Sequence, residues 1–194
     1  MRGAEVALPL TTERDIGWWG LSLAPRAHAV QSGTHRPSGR KVDLMRVVIG
    51  SDHAGYDQKQ RLKAHLAEQG HDVIDVGTAS GDESVDYPDF AIAAGRKVAR
   101  GDAELGVLVC GTGIGMSIAA NKVRGVRAAN VTSVEFARLA REHNNANVVT
   151  VSARFVSVQE NEEIVDAFLT TPFAGGRHGG RVDKITAAET EERG

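Results

Sequence analysis

From Met45 to the last residue, short β-branched apolar runs alternate with stretches of helical pattern, and that alternation leaves few folds open. The runs are 46–50 (RVVIG), 73–76 (VIDV), 105–110 (LGVLVC), 126–131 (VRAANV) and 147–152 (NVVTVS). Strands that take turns with helices build βαβ units, and βαβ units build a parallel sheet. The pattern therefore predicts an α/β protein with a five-stranded parallel sheet. Helices are expected near 56–69, 88–100, 114–123, 133–143, 157–169 and 180–192. Thr132 with Glu135 and Ser157 with Glu160 have the spacing of capping boxes, and Pro88 suits a first helical turn.

Residues 1–44 do not share this pattern. They hold three of the five prolines and both tryptophans, with no sustained period. They read as an N-terminal extension, disordered or preceding a true start at Met45, appended to a single domain over 45–194. Only the Trp18–Trp19 pair suggests a docking role.

Composition narrows the function. With 25% charged residues and a net charge of -2, the chain has no global positive field to hold nucleic acid or an anionic membrane. Any anion must be caught locally. Cys110 is the single cysteine, which excludes an intrachain disulfide and a Cys-rich zinc site. No apolar run approaches the ~20 residues of a membrane span, and Glu5, Glu13, Arg14 and Asp15 break up the start. A cytoplasmic protein is expected.

Open parallel sheets bind ligands beyond the carboxyl ends of their strands. The residues that follow each strand are therefore read together. After the third strand come Cys110 and Gly111-Thr112-Gly113-Ile114-Gly115, whose backbone N–H groups can converge on an anion at a helix start. The spacing is not the dinucleotide G-x-G-x-x-G, and no Walker lysine follows. Taken alone, such a turn is as often plain tight-turn geometry as a ligand cradle. Cys110 touches the same turn, where helix N-termini bring a thiol from ~8.5 toward neutrality, so it can act as a thiolate base. A single intracellular cysteine is more commonly a small buried hydrophobe. Its place beside three glycines at a strand end favours function.

Asp52 and His53 follow the first strand, within reach of the glycine loop. Asp52 is also a plausible N-cap, whereas His53 supplies a phosphate donor that a cap does not require. His143-Asn144-Asn145 reads first as a helix C-terminal stop, with His143 a general acid or base only if it faces the same cleft. Arg177 and Arg181 are four apart and on a helix would share a face able to grip one phosphate, with Gly175, Gly176, Gly179 and Gly180 allowing close backbone approach.

Together, SDHAGYDQK, Asp86-Tyr87-Pro88, CGTGIGMSIAANK, HNNANV and GGRHGGRV resemble the ribose-5-phosphate isomerase B family, which includes galactose-6-phosphate isomerase subunits. The resemblance covers residues 45–194. It implies a Rossmann-like three-layer α/β/α sandwich, a homodimer or homotetramer with active sites at the subunit interface, no cofactor and no metal. It further implies an aldose–ketose isomerase of carbohydrate metabolism, interconverting ribose 5-phosphate and ribulose 5-phosphate. Cys110 matches the base that shuttles the proton between C1 and C2; some relatives use a glutamate elsewhere in the loop, and this chain has the cysteine form. His143 matches the ring-opening residue, and Thr112 lies near the enediolate. Asp52, His53, Tyr87, Asn144 and Gly111, Gly113, Ile114 and Gly115 match substrate-contacting positions. Arg154, Arg177 and Arg181 match phosphate ligands.

The chemistry agrees. Moving a carbonyl between two carbons needs one base, donors for the enediolate oxygens and a grip on the remote phosphate. Two alternatives stand beside this reading: an isomerase of a hexose 6-phosphate or tetrose 4-phosphate, and a non-catalytic phosphate-binding module, since fold alone does not fix function.

Overall fold

The computed structural model describes residues 44–191. The extension assigned to residues 1–44 thus lies, except for Leu44, outside the described residues. The strands are β1 (Arg46–Ser51), β2 (Asp72–Asp75), β3 (Leu105–Cys110), β4 (Ala128–Asn130) and β5 (Val148–Ser152). The helices are α1 (Tyr56–Glu68), α2 (Tyr87–Ala99), α3 (Ile114–Ala120), α4 (Val134–Asn144), α5 (Val158–Thr170) and α6 (Gly179–Glu191), with 3-10 turns at His53–Gly55 and Gly176–His178.

All five strands pair in parallel in the order β2-β1-β3-β5-β4. β3 sits at the centre, and all six of its residues are buried. Successive side chains point to opposite faces, so Val107 and Val109 join one core cluster while Leu108 and Cys110 join the other. The first cluster takes Leu62 and Leu66 of α1, Ala137 and Ala140 of α4, and Ile164, Val165 and Phe168 of α5. The second takes Ala91, Ala94 and Val98 of α2 and Met116, Ala119 and Ala120 of α3. A sheet with helices on both faces is the expected three-layer sandwich. Each fully buried Val, Leu or Ile contributes about 1.5–3 kcal/mol, so these two clusters are the main source of stability.

The helix after β1 packs on one face and the helix after β3 on the other. Between the carboxyl ends of these adjacent strands the connections diverge, and the divergence opens a crevice.

Local signals hold with two adjustments. Ser157 and Glu160 form the capping box of α5, and Pro88 lies in the first turn of α2. α4, however, is capped by Ser133, whose side chain accepts from Phe136 N–H, not by Thr132. β4 is shorter than the apolar run suggests: as an edge strand it pairs only with β5, and Val126 closes a turn onto the Val123 carbonyl instead. Among the described residues no helix is long and apolar enough to cross a membrane.

Candidate active site

The crevice holds a cleft of about 240 Å³ lined by Asp52, His53, Ala54, Tyr87, Cys110, Gly111, Thr112, Gly115 and Arg154. Four connections meet here, and each contributes a polar group. A larger groove of about 670 Å³ runs between β4 and α6 but offers no thiol and no imidazole.

Cys110 ends β3 at 5% exposure, and the Gly113 N–H donates to its Sγ at 3.1 Å. A thiolate accepts such a bond more strongly than a thiol does. Gly113 sits at φ 78°, a left-handed conformation that glycine adopts without the Cβ penalty of other residues. A β-carbon at Gly115 would come within 2.7 Å of the Tyr87 ring, so glycine there lets the tyrosine lie against the loop. The loop is stitched to β5 by Ser152 Oγ, which donates to the Gly111 carbonyl at 2.8 Å, and by the Ala153 N–H on the Cys110 carbonyl at 2.9 Å. Thr112 Oγ1 accepts from the Ile114 N–H at 3.3 Å. Gly113 and Ile114 themselves do not line the cleft; they shape the loop that does.

Asp52 is buried, and its Oδ1 accepts from the Gly55 N–H at 3.0 Å. The capping role weighed for it is therefore present alongside its place in the cleft. His53 Nδ1 accepts from the Val85 N–H at 3.2 Å. The neutral imidazole must then carry its proton on Nε2, which becomes a donor. Arg154 is exposed, and its side chain lies against Gly111.

His143, Asn144, Arg177 and Arg181 are not in this cleft. His143 and Asn144 end α4 and lead into the amino end of β5, whereas Cys110 pairs with Ser152 at its carboxyl end. The four residue steps from Val148 to Ser152 span about 13 Å. Asn144 lines the larger groove. Arg177 lies in a 3-10 turn and Arg181 in α6, so the two do not share one α-helix face; both place their charge near His178 instead. Gly175 and Gly176 have positive φ and form a turn with open space around them within this chain. Asn145, at φ 46°, is the left-handed stop expected of this stretch.

Sequence reasoning passed over Ser152, Val85 and His178. Ser152 is the last residue of a recognised strand, a position that could have been read with the other strand ends. Val85 acts through its backbone and leaves no side-chain signal.

A parallel α/β domain whose switch-point crevice carries a buried cysteine and a loop of backbone donors is a small-molecule enzyme scaffold of the Rossmann-like class. The chain belongs to the Ribose/Galactose Isomerase family, whose profile matches residues 47–185. It is 49% identical over 146 residues to the probable ribose-5-phosphate isomerase B of Mycoplasma genitalium, spanning 75% of this chain and 96% of that one. It is 44% identical to ribose-5-phosphate isomerase B of Escherichia coli, spanning 75% and 97%. The solved structure of the Clostridium thermocellum ribose-5-phosphate isomerase B superposes with a TM-score of 0.75 at 45% identity, covering 76% of this chain and 99% of that one. The Mycoplasma genitalium enzyme with bound ribulose-5-phosphate superposes with a TM-score of 0.72 at 48% identity, covering 75% and 97%.

Proposed function

We propose that this protein is a cofactor-independent aldose–ketose isomerase that interconverts ribose 5-phosphate and ribulose 5-phosphate through an enediolate. The observation that carries this reading is the Cys110 Sγ beneath the glycine loop, in a cleft that also offers an imidazole, a hydroxyl and a guanidinium. The names of the relatives support the same substrate pair.

In the forward direction the Cys110 thiolate takes the C2 proton of the open-chain aldose, and the electron pair moves to make the enediolate. The proton returns to C1, while the O2 hydroxyl gives up its proton and O1 gains one. In this reading the Thr112 hydroxyl and the loop N–H groups other than those of Gly113 and Ile114, which are bonded within the loop, donate to the oxygens on which charge develops. Asp52, His53 and Tyr87 hold the sugar, and Arg154 holds the phosphate.

His143 as ring opener, with Asn144, Arg177 and Arg181, then reaches the cleft from a second copy of the chain. Ile114, Ile118, Phe136 and Phe155 are all exposed by more than half, on elements that follow the carboxyl ends of β3, β4 and β5. Exposed apolar side chains on elements beyond that edge of the sheet suit burial by that second copy. The mechanism needs a reduced thiol, which fits a reducing compartment such as the cytoplasm.

The test is an isomerase assay over ribose 5-phosphate, a hexose 6-phosphate and a tetrose 4-phosphate. The highest kcat/KM is expected for the pentose. A clear preference for another chain length reassigns the substrate, and no turnover of any leaves a binding module.

A further inference from the structure

The mechanism above makes no use of Lys59, yet it is among the most deeply buried side chains of the protein, with 2% of its surface exposed. A buried ammonium is costly unless each proton is matched. Here the match is complete. Lys59 Nζ donates to both carboxylate oxygens of Asp75, at 3.0 and 3.1 Å, and to the Thr78 carbonyl at 2.7 Å. Burial alone would raise the Asp75 carboxyl, but the Gly77 N–H, Lys59 and Lys63 outweigh it and hold the group below its ordinary value.

These bonds fall on the start of the loop that joins β2 to α2. Gly77 passes so close to the lysine that a β-carbon would lie 2.8 Å from its Cδ. Thr78 is fixed a second time, its N–H donating to the Ser51 carbonyl at 3.0 Å at the end of β1. Gly81 lies over the Tyr56 ring, and that ring lies 5.3 Å from the lysine Nζ. The loop then reaches Val85, whose N–H is the donor to His53 Nδ1. A single buried cation thus sits behind the loop whose far end selects the proton position on a ring in the cleft.

We propose that Lys59, through Asp75 and Thr78, is a positioning residue that seats the 76–86 loop so that Val85 keeps His53 as an Nε2–H donor to a substrate oxygen. This rests on the reading of His53 as a substrate ligand. It predicts a binding defect, because the base and its loop are anchored separately on β3 and β5.

Kinetics and histidine ¹⁵N chemical shifts of the full chain test this. His53 is expected as the Nε2–H tautomer in the wild type. Lys59→Met should raise KM at least ~10-fold with kcat within a few-fold, and should give His53 a mixed tautomer. Adding His53→Ala to Lys59→Met should raise KM no further than His53→Ala alone, whereas a merely structural lysine gives effects that add. If Lys59→Met does not fold, Lys59→Gln takes its place. A wild-type Nδ1–H tautomer overturns the proposal whatever the variants do. A folded variant with unchanged KM and unchanged His53 shifts, while His53→Ala alone raises KM, overturns it as well. An unchanged KM in His53→Ala sinks the substrate-ligand reading first.

Discussion

The imidazole of His143 lies flat on that of His178, with ring centroids 4.2 Å apart and planes 5° from parallel. His178 is buried, its Nδ1 has no hydrogen-bond partner among the described residues, and Arg177 Nε faces its Nε2 at 3.5 Å. Burial first, then the charges of His143, Arg177 and Arg181, lowers the proton affinity of His178 below the ordinary imidazole value. His178 therefore resists taking up a proton.

A pH dependence of stability follows, and its sign is fixed. In the unfolded chain His178 titrates near 6.5, while in the folded chain it titrates lower. As pH falls below about 6.5 the unfolded state takes up the proton first, so stability is lost on acidification until the folded ring also protonates. Thermal melts between pH 8 and 5 should show a steeper fall in Tm for the wild type than for His178→Phe, which keeps a flat ring against His143 but cannot titrate. Parallel slopes would contradict the assignment.

Cys110→Ala should lower kcat by at least ~10²-fold, the scale of a positioned proton-transfer group. The circular dichroism spectrum should stay native, since the change removes one small atom from a packed strand end. Near-normal turnover in the folded variant removes Cys110 from the mechanism.

The separation of Cys110 from Arg177 and Arg181 is testable by mixing. Co-expressed Cys110→Ala and Arg177→Ala/Arg181→Ala chains should regain activity at low substrate that neither has alone. With the site shared between two copies as proposed, a mixed dimer has one intact site and one doubly damaged site, so roughly a quarter of wild-type activity is expected when subunits pair at random. No recovery in verified mixed dimers would place all the groups in one chain.

These predictions divide along what the sequence makes legible. β3 is legible to the residue because a central strand is apolar on both faces, and its end carries Cys110 and the loop in plain view. β4 reads longer than it is because Val126 is buried in a turn, and burial and strand pairing give the same apolar signal. Thr132 and Ser133 are adjacent cap formers that differ only in which side chain reaches the Phe136 N–H. His143, Asn144, Arg177 and Arg181 are legible as residue types but not as a place, since nothing in the hydrophobic period of α4 says how far its end lies from the Cys110 cleft. Lys59 is hidden for another reason: a lysine among the polar residues of α1 reads as solvated, and the groups that keep it inside, Asp75 and the Thr78 carbonyl, lie sixteen and nineteen positions away.

The extension offers a final prediction. The family match begins at residue 47, so a chain beginning at Met45 should fold and turn over like the full-length protein. Loss of activity or assembly on truncation would make residues 1–44 part of the enzyme.

The divergence of α1 and α3 to opposite faces of the sheet separates two things that evolution can act on. The hollow between β1 and β3 is made by chain path and not by the side chains that line it. What the hollow prefers is set by the few side chains that reach it. A lineage can therefore drift from one sugar phosphate to another without passing through an unfolded ancestor, which suits a family named for both ribose and galactose.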